Sequence, residues 1–170
     1  GEFPLAGELY TTLLQEWGSS SAAKDVDKEF VQMNIEYAAY ALENGDGATA
    51  IQIYRAIAGS YPFTIYADQA SEALPAAYLT YANNLINQKD YTQAIEIYTT
   101  LSLYYPGTVL DDTAAQQIDL AYAADAAERL QQADFTGSYQ RYDFLRHYTL
   151  DPDIRSQAEG GYQQAVSTLA

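Results

Sequence analysis

The sequence predicts an all-α protein: a right-handed α-solenoid of antiparallel helix pairs, with about eight helices and no strand. Three observations lead to this fold class. The chain repeats itself at a fixed interval, apolar residues within each repeat recur at the spacing of one helix face, and turn residues separate the apolar segments. Helix pairs that repeat in this way bury their apolar faces by stacking on their neighbours. We therefore expect a single repeat domain over residues 1–170.

The repeat interval is 44 residues. Residues 90–98 (DYTQAIEIY) align with residues 46–54 (DGATAIQIY), and Tyr105-Pro106 aligns with Tyr61-Pro62, in each case 44 positions apart (98 − 54 and 106 − 62). The same interval continues towards both ends of the chain, where the copies are less regular, as expected of terminal units. The predicted units cover about 1–44, 45–88, 89–132 and 133–170.

A short helix opens each of the later units. It follows an aspartate whose side chain suits a helix N-cap, namely Asp46, Asp90 or Asp134. The short helix ends near the Tyr-Pro pair, because proline removes a backbone donor and pushes the preceding residue out of helical geometry. In the first unit, the corresponding helix is predicted around Tyr10, Leu13 and Trp17.

A longer helix completes each pair. The starting points are predicted near Thr64, Thr108 and Asp151, and the ends near Asn44, Gln88 and Gln132. Pro75 lies inside one of these helices, so we expect a kink or break there. The repeated aromatic residues are predicted to be packing residues between helices, since they recur at the repeat period; they are Trp17, Tyr54, Tyr61, Tyr98, Tyr105 and Tyr142.

Composition and charge exclude several classes of function. The chain has 23 acidic residues against 8 lysines and arginines, a formal net charge of −15, and its cations are scattered. Nucleic acid and anionic membrane surfaces are therefore unfavourable partners. No apolar run is long enough to span a membrane, so direct membrane insertion is not expected. Since lysine is scarce beside abundant Tyr, Gln, Ser and Thr, we favour a secreted, periplasmic or cell-envelope protein, with any signal segment outside this sequence. A salt-adapted protein is the alternative.

No residue pattern predicts catalysis, a metal site or a cofactor. The chain has no cysteine and one histidine, His147, for which stabilisation of a helix C-terminus is the expected role. Clusters of acidic residues lack the regular oxygen spacing and the glycine turn of a calcium loop, and we interpret them as solvated helix ends. They are Asp25/Asp27/Glu29, Asp111/Asp112 and Asp151/Asp153. The chain is therefore not expected to be an enzyme.

The repeat resembles the tetratricopeptide repeat (TPR) family. The family's pattern is a large aromatic, then Leu-Gly, then Tyr, then a small residue, an aromatic and a final proline. In this chain Tyr78, Tyr81-Ala82, Leu85, Ala94, Tyr98 and Pro106 occupy those places. The unit is longer than the usual 34 or so residues, and the excess lies between Pro106 and Tyr122. A HEAT-like array is the structural alternative. Long-unit TPR-like proteins of bacterial envelopes look similar.

The resemblance implies a ligand groove on the longer helices. Carried over position by position, the groove residues in three consecutive units are Gln32, Ile35, Ala39, Leu42 and Glu43, then Ala76, Leu79, Asn83, Ile86 and Asn87, then Leu120, Ala123, Ala127, Leu130 and Gln131. Asn83 occupies a place where chaperone-binding members hold a peptide backbone, but the basic residues that grip a terminal carboxylate there are missing. Alternatively, some of these residues pack against the extended helix of the next unit.

The preferred function is a protein–protein interaction scaffold that holds an extended or helical segment in this groove. The expected partner is a protein or peptide with a basic segment beside apolar anchors, contacted at Leu79, Asn83 and Ile86, because a chain at −15 attracts cationic partners. A structural protein that associates with itself end to end through its terminal repeats is the alternative.

Overall fold

In the computed structural model, the protein is described at residues 8, 9, 12, 15, 16 and 21–169, with side chains from Asp27 onward in the second range. Seven helices run through residues 21–169, and this range contains no strand. They are α1 (Ser21–Glu43), α2 (Gly47–Ser60), α3 (Ile65–Asn87), α4 (Tyr91–Tyr104), α5 (Val109–Gln131), α6 (Phe135–Tyr148) and α7 (Pro152–Leu169). The prediction of an all-α protein is confirmed.

Long and short helices alternate at the interval read from the sequence. The long helices α1, α3 and α5 each have 23 residues and begin 44 residues apart (65 − 21 and 109 − 65). The short helices α2, α4 and α6 each have 14 residues and follow the same interval. The expected starts and ends agree with the structure to within one residue. The predicted helix around Tyr10, Leu13 and Trp17 lies outside the described residues.

Aspartate side chains cap the short helices, as the sequence predicts. Asp46, Asp90 and Asp134 accept hydrogen bonds from the backbone N–H three residues on, at 3.0, 3.2 and 2.9 Å. Each bond satisfies a backbone donor that has no partner inside the helix. The long helix α5 is capped in the same way by Thr108, which accepts from the N–H of Asp111.

A tight turn joins each long helix to the next short one. Residues 45, 89 and 133 have left-handed backbone conformations, with φ of 80°, 63° and 60°. The following aspartate donates its N–H back to the long helix, as from Asp90 to the Leu85 carbonyl at 2.8 Å. This geometry closes a helix C-terminus and favours glycine. The sequence supplies glycine only at Gly45; Lys89 and Ala133 occupy the other two positions.

Two compact units make up the chain, Gly1–Tyr81 and Ala82–Ala170, and the boundary falls within α3. In the first unit α1 packs against α2. The buried residues of this unit include Val31 and Ala38 on α1 and Tyr54 and Ile57 on α2. The repeated aromatic residue Tyr54 is thus in the core, as the repeat predicts.

In the second unit each helix from α4 to α7 packs against the next, and α5 also contacts α7. Tyr98, Leu101 and Leu145 are among the largest fully buried side chains. A core cluster joins three helices; its members are Ala126, Tyr142, Leu145, Ile154 and Ala158. Tyr98 and Tyr142, which occupy the Tyr54 position in the next two repeats, are therefore buried too.

Of the kink or break expected at Pro75, the break is wrong, and the kink stays a prediction. The α3 helix continues from Ile65 to Asn87 with Pro75 inside it, and it has the same length as α1 and α5. Proline leaves the carbonyl four residues earlier, that of Ser71, without its helical donor. Because Ser71 is exposed, water can hydrate this carbonyl, which limits the cost of keeping the helix continuous.

Candidate partner-binding surface

The predicted groove residues all lie on the long helices and none of them is buried. Those up to Leu79 belong to the first unit, on α1 and the first part of α3. Those from Asn83 onward belong to the second unit, on the end of α3 and on α5. On each helix the first four recur at intervals of three or four residues, which places those four along one face, and the fifth directly follows the fourth. A surface of this composition is mixed, with aliphatic side chains between amides.

Asn83 is held by a side chain of the short helix that follows it. The hydroxyl of Tyr98 on α4 donates to Asn83 Oδ1 at 2.7 Å. Tyr98 is 0% exposed, and its burial raises the pKa of the phenol above 10.0. Asn83 itself is exposed. Because the Asn83 carbonyl oxygen accepts this bond, the NH2 group of the same side chain supplies its remaining hydrogen-bond donors.

Asn83 has no counterpart in the neighbouring repeats. The positions 44 residues before and after it are Ala39 and Ala127, whereas Tyr98 recurs as Tyr54 and Tyr142. The tyrosine hydroxyl is thus combined with an amide in one repeat only. This pairing distinguishes the Asn83 position from a repeated packing contact.

Ala123 contributes to the core as well as to the predicted groove. It is partly buried and packs against the cluster that contains Tyr142 and Leu145. For Ala123, the contacts agree with the alternative interpretation, in which the residue packs against a neighbouring helix. The same helix leaves Leu120 exposed, at 45%.

An ion-pair network surrounds the buried carboxylate of Asp125, and the sequence did not predict it. Asp125 on α5 is 6% exposed. Its two carboxylate oxygens accept from Arg129 Nε and Arg141 Nε, each at 2.8 Å. Arg129 also donates through Nη1 to Asp134, the cap of α6, at 2.8 Å. A buried carboxylate needs such partners, because an unpaired one is strongly destabilising.

Asp134 links this network to the helix cap. The Gly137 N–H and the Arg129 guanidinium lower the pKa of the Asp134 carboxyl below 3.8. A side chain at Gly137 would clash, since an added Cβ would lie 2.2 Å from Asp134 Oδ2. The spacing of Asp125 and Arg129, four residues apart on a helix, was the signal available in the sequence. It did not reveal Arg141, which comes from the next helix.

A second, more exposed group of charges joins α4 to α5. Glu128 accepts from Lys89 Nζ at 2.9 Å and from the Tyr91 hydroxyl at 3.0 Å. The Lys89 ammonium is the main reason that the pKa of Glu128 is lowered from 4.5. Because the Lys89 side chain is 64% exposed, this pair contributes little to stability.

In a comparison with known proteins, no family model matches the chain and no curated protein is significantly similar to it.

Two of the three acidic clusters make helix-end contacts, and the side chain of Asp25 in the other cluster lies outside the described part of the chain. Asp111 accepts from the Ser102 hydroxyl and the Gly107 N–H, which together lower its pKa below 3.8. Asp151 Oδ1 accepts from the N–H groups of Asp153 and Ile154 at the start of α7. Within the described part of the chain, no three acidic or histidine side chains are grouped closely enough to hold a metal ion.

His147 lies in the last turn of α6, as expected, with Nδ1 2.7 Å from the Asp143 carbonyl oxygen. A basic side chain in the last turn is favourably placed beside the carbonyl end of the helix. None of the helices in residues 21–169 is long and apolar enough to cross a membrane.

Proposed function

We propose that this chain is a TPR-like α-solenoid that binds a segment of another protein along the concave face of its long helices, and that its task is binding and not catalysis. The pair formed by Asn83 and Tyr98 carries the proposal. A buried hydroxyl that orients an exposed amide is the arrangement that a site for a peptide backbone requires, because the amide is pre-ordered before the partner arrives.

Two further observations support the proposal. The helix bounds repeat every 44 residues (109 − 65), as stacking units require, and α5 contacts α7 as well as α6. The carried-over positions are all at least partly exposed, so a partner can reach their aliphatic side chains. Ile86 lies one helical turn after Asn83 and would supply apolar contact beside the amide.

The net charge of −15 defines the partner's chemistry. It favours a partner with a basic segment next to apolar anchors, since charge speeds the encounter and apolar burial slows release. We expect affinity to fall as salt is raised, because the long-range attraction is screened.

The test uses the intact chain to recover a partner from the source organism, followed by calorimetric titration of the purified pair at low and high salt. Asn83→Ala and Ile86→Asp should each weaken binding by about tenfold or more. Val109→Asp is a matched control, because it introduces the same charge change as Ile86→Asp. Val109 lies on α5, is 79% exposed and is not among the groove positions. The control variant should bind as the wild type does.

Two results would contradict the proposal. One is a double variant, Asn83→Ala with Ile86→Asp, that still binds the partner, together with an affinity that does not change with salt concentration. The other is mass growth with concentration in light scattering without any partner, which would favour end-to-end self-association through the terminal repeats.

A further inference from the structure

A cleft in the second unit is lined by none of the predicted groove residues. It has a volume of about 570 Å³ and lies between the first half of α5 and the C-terminal end of α6, with the loop to α7 at its rim. Its lining includes the apolar Phe144, Tyr148 and Leu150 and the acidic Asp112, Asp119 and Asp151, together with Ala115, Gln116 and Ile118. None of these was a predicted binding residue.

The apolar wall is well ordered by aromatic contacts but stays open to solvent. The ring of Phe144 lies 4.5 Å from that of Tyr122 and 5.0 Å from that of Tyr148, between centroids. Tyr148 is nevertheless 71% exposed and Leu150 is 92% exposed. The fold gains almost nothing from burial of Leu150, so its apolar side chain is available for contact with another molecule.

The acidic rim has acceptor capacity left over. Asp119 uses Oδ2 to accept from the Thr149 hydroxyl, and Asp151 uses Oδ1 to accept from two backbone N–H groups, so each has a second carboxylate oxygen. Asp112 is exposed. Arg155 donates to the carbonyl of Thr149 in the adjoining loop, so the carboxylates outnumber the guanidinium at this end of the helices.

The cleft depends on the extra length of the repeat unit. Its α5 wall is formed by residues 112–119, which lie between Pro106 and Tyr122, where the unit exceeds the usual length of about 34 residues. The longer helix therefore adds a concave surface that a shorter one would not provide.

We propose that this cleft docks a peptide segment in which a lysine or arginine lies beside an apolar side chain. The cation contacts the acidic rim, and the apolar neighbour packs on Phe144, Tyr148 and Leu150. A long cationic side chain suits this site, because its stem is apolar and its end donates several hydrogen bonds. A metal ion does not fit, as the described carboxylates are not grouped for one, and a second copy of this chain carries the same charge of −15.

The probe is the synthetic peptide acetyl-Gly-Leu-Arg-Leu-Gly-amide, titrated into the 15N-labelled full chain and followed by NMR. Shifts should concentrate at residues 112–119 and 144–151, with a Kd of the order of 10⁻⁴ M, as expected for a short flexible ligand. The same peptide with citrulline in place of arginine keeps the shape and loses the charge. It should bind at least about fivefold more weakly.

Two variants with matched controls locate the site. Asp112→Asn and Leu150→Ser should each weaken peptide binding by about three- to tenfold, as lost charge and apolar contacts do at small interfaces. Asp68→Asn removes the same charge 44 residues earlier on α3 (112 − 68), and Leu103→Ser removes a leucine that is 76% exposed on α4. Both controls should bind the peptide as the wild type does.

The outcomes separate this site from the groove. Ile86→Asp should leave peptide binding in the cleft unchanged, even where it abolishes capture of the groove partner. The inference is overturned by shifts centred on Asn83 and Ile86, by equal weakening in the controls, by equal binding of the citrulline peptide, or by an absence of binding up to a few millimolar, an affinity too weak for a specific site.

Discussion

Individual side chains in this protein combine packing with positioning, and Tyr98 does both. Its ring is fully buried at the repeat position where Tyr54 and Tyr142 also lie. Its hydroxyl reaches the surface amide of Asn83, 2.7 Å away. The ring therefore contributes to folding, while the hydroxyl holds the exposed Asn83 amide that we propose contacts a partner. Substitutions can separate these two contributions.

Tyr98→Ala should lower the free energy of unfolding by about 3–5 kcal/mol, because it leaves a large cavity in the second unit. Tyr98→Phe keeps the ring and removes one hydrogen bond, so the loss should be about 1 kcal/mol. Urea unfolding followed by circular dichroism measures both values. A loss below about 1 kcal/mol for the alanine variant would mean that the ring is not buried.

Tyr54→Phe is the control for the hydroxyl. In the repeat of Tyr54, the residue equivalent to Asn83 is Ala39, whose side chain has no hydrogen-bond acceptor. We expect a smaller loss of stability than for Tyr98→Phe, and equal losses would indicate that the bond to Asn83 contributes nothing.

At the scale of helices and turns, one local design recurs with different residues. Two residues after each long helix the turn contains a residue with positive φ, followed by an aspartate that caps the short helix. Glycine meets the conformational requirement at position 45, while alanine meets it at position 133 with strain, since a Cβ disfavours the left-handed region. The three turns are thus a natural comparison series.

Ala133→Gly should raise the free energy of unfolding by about 0.5–1 kcal/mol, and Gly45→Ala should lower it by a similar amount. The relief of strain at position 133 is partly offset by the greater freedom of glycine in the unfolded chain. Chemical unfolding of the two variants beside the wild type provides the test. If both substitutions shift stability in the same direction, the left-handed conformation at one of the two turns is wrong.

The Asp125 network shows that equivalent helices of two repeats can carry charged side chains in one repeat and uncharged side chains in the other. The residues 44 places before Asp125, Arg129 and Arg141 are Tyr81, Leu85 and Ile97. An ion-pair network therefore takes the place of residues that are aromatic and aliphatic in the preceding repeat. Two charge-assisted hydrogen bonds at 2.8 Å, from Arg129 and Arg141, compensate for the burial of the Asp125 carboxylate.

For the whole molecule, the abundance of buried tyrosine predicts sensitivity to alkali. Burial raises the pKa of Tyr54, Tyr98 and Tyr142 above 10.0. Burial and a hydrogen bond to Asp27 raise the pKa of Tyr61 to about 12. Below pH 10 both folded and unfolded chains keep these phenols protonated, so this contribution to stability is complete there.

Above pH 10 the unfolded chain releases protons that the folded chain retains, so the free energy of unfolding should fall as the pH approaches the folded pKa values. Tyr61→Phe should reduce the protons released on unfolding in this range by up to about one. Tyr148→Phe, at a side chain that is 71% exposed, is the control and should have little effect. Urea unfolding at several pH values, with tyrosinate absorbance, measures the slope. An unchanged slope for Tyr61→Phe would contradict the raised pKa.

The sequence by itself determined the helices, their bounds and their caps. These features depend on neighbours a few residues apart and on a period of 44 residues, so they can be read along the chain. The burial of Tyr54, Tyr98 and Tyr142 followed from that period as well. The break expected at Pro75 was wrong, because a local rule ignored that an exposed carbonyl can be hydrated. The TPR resemblance and the groove remain predictions.

Only the tertiary structure decided which side chains meet across helices. The bond from Tyr98 to Asn83, the attachment of Arg141 to Asp125, and the cleft that gathers Asp112, Phe144 and Leu150 all join residues from different helices. Such contacts depend on how each helix is rotated and packed against its neighbour, and sequence spacing specifies the face of a helix but not the atoms opposite it. The charged network and the cleft therefore became visible only when the helices were placed together.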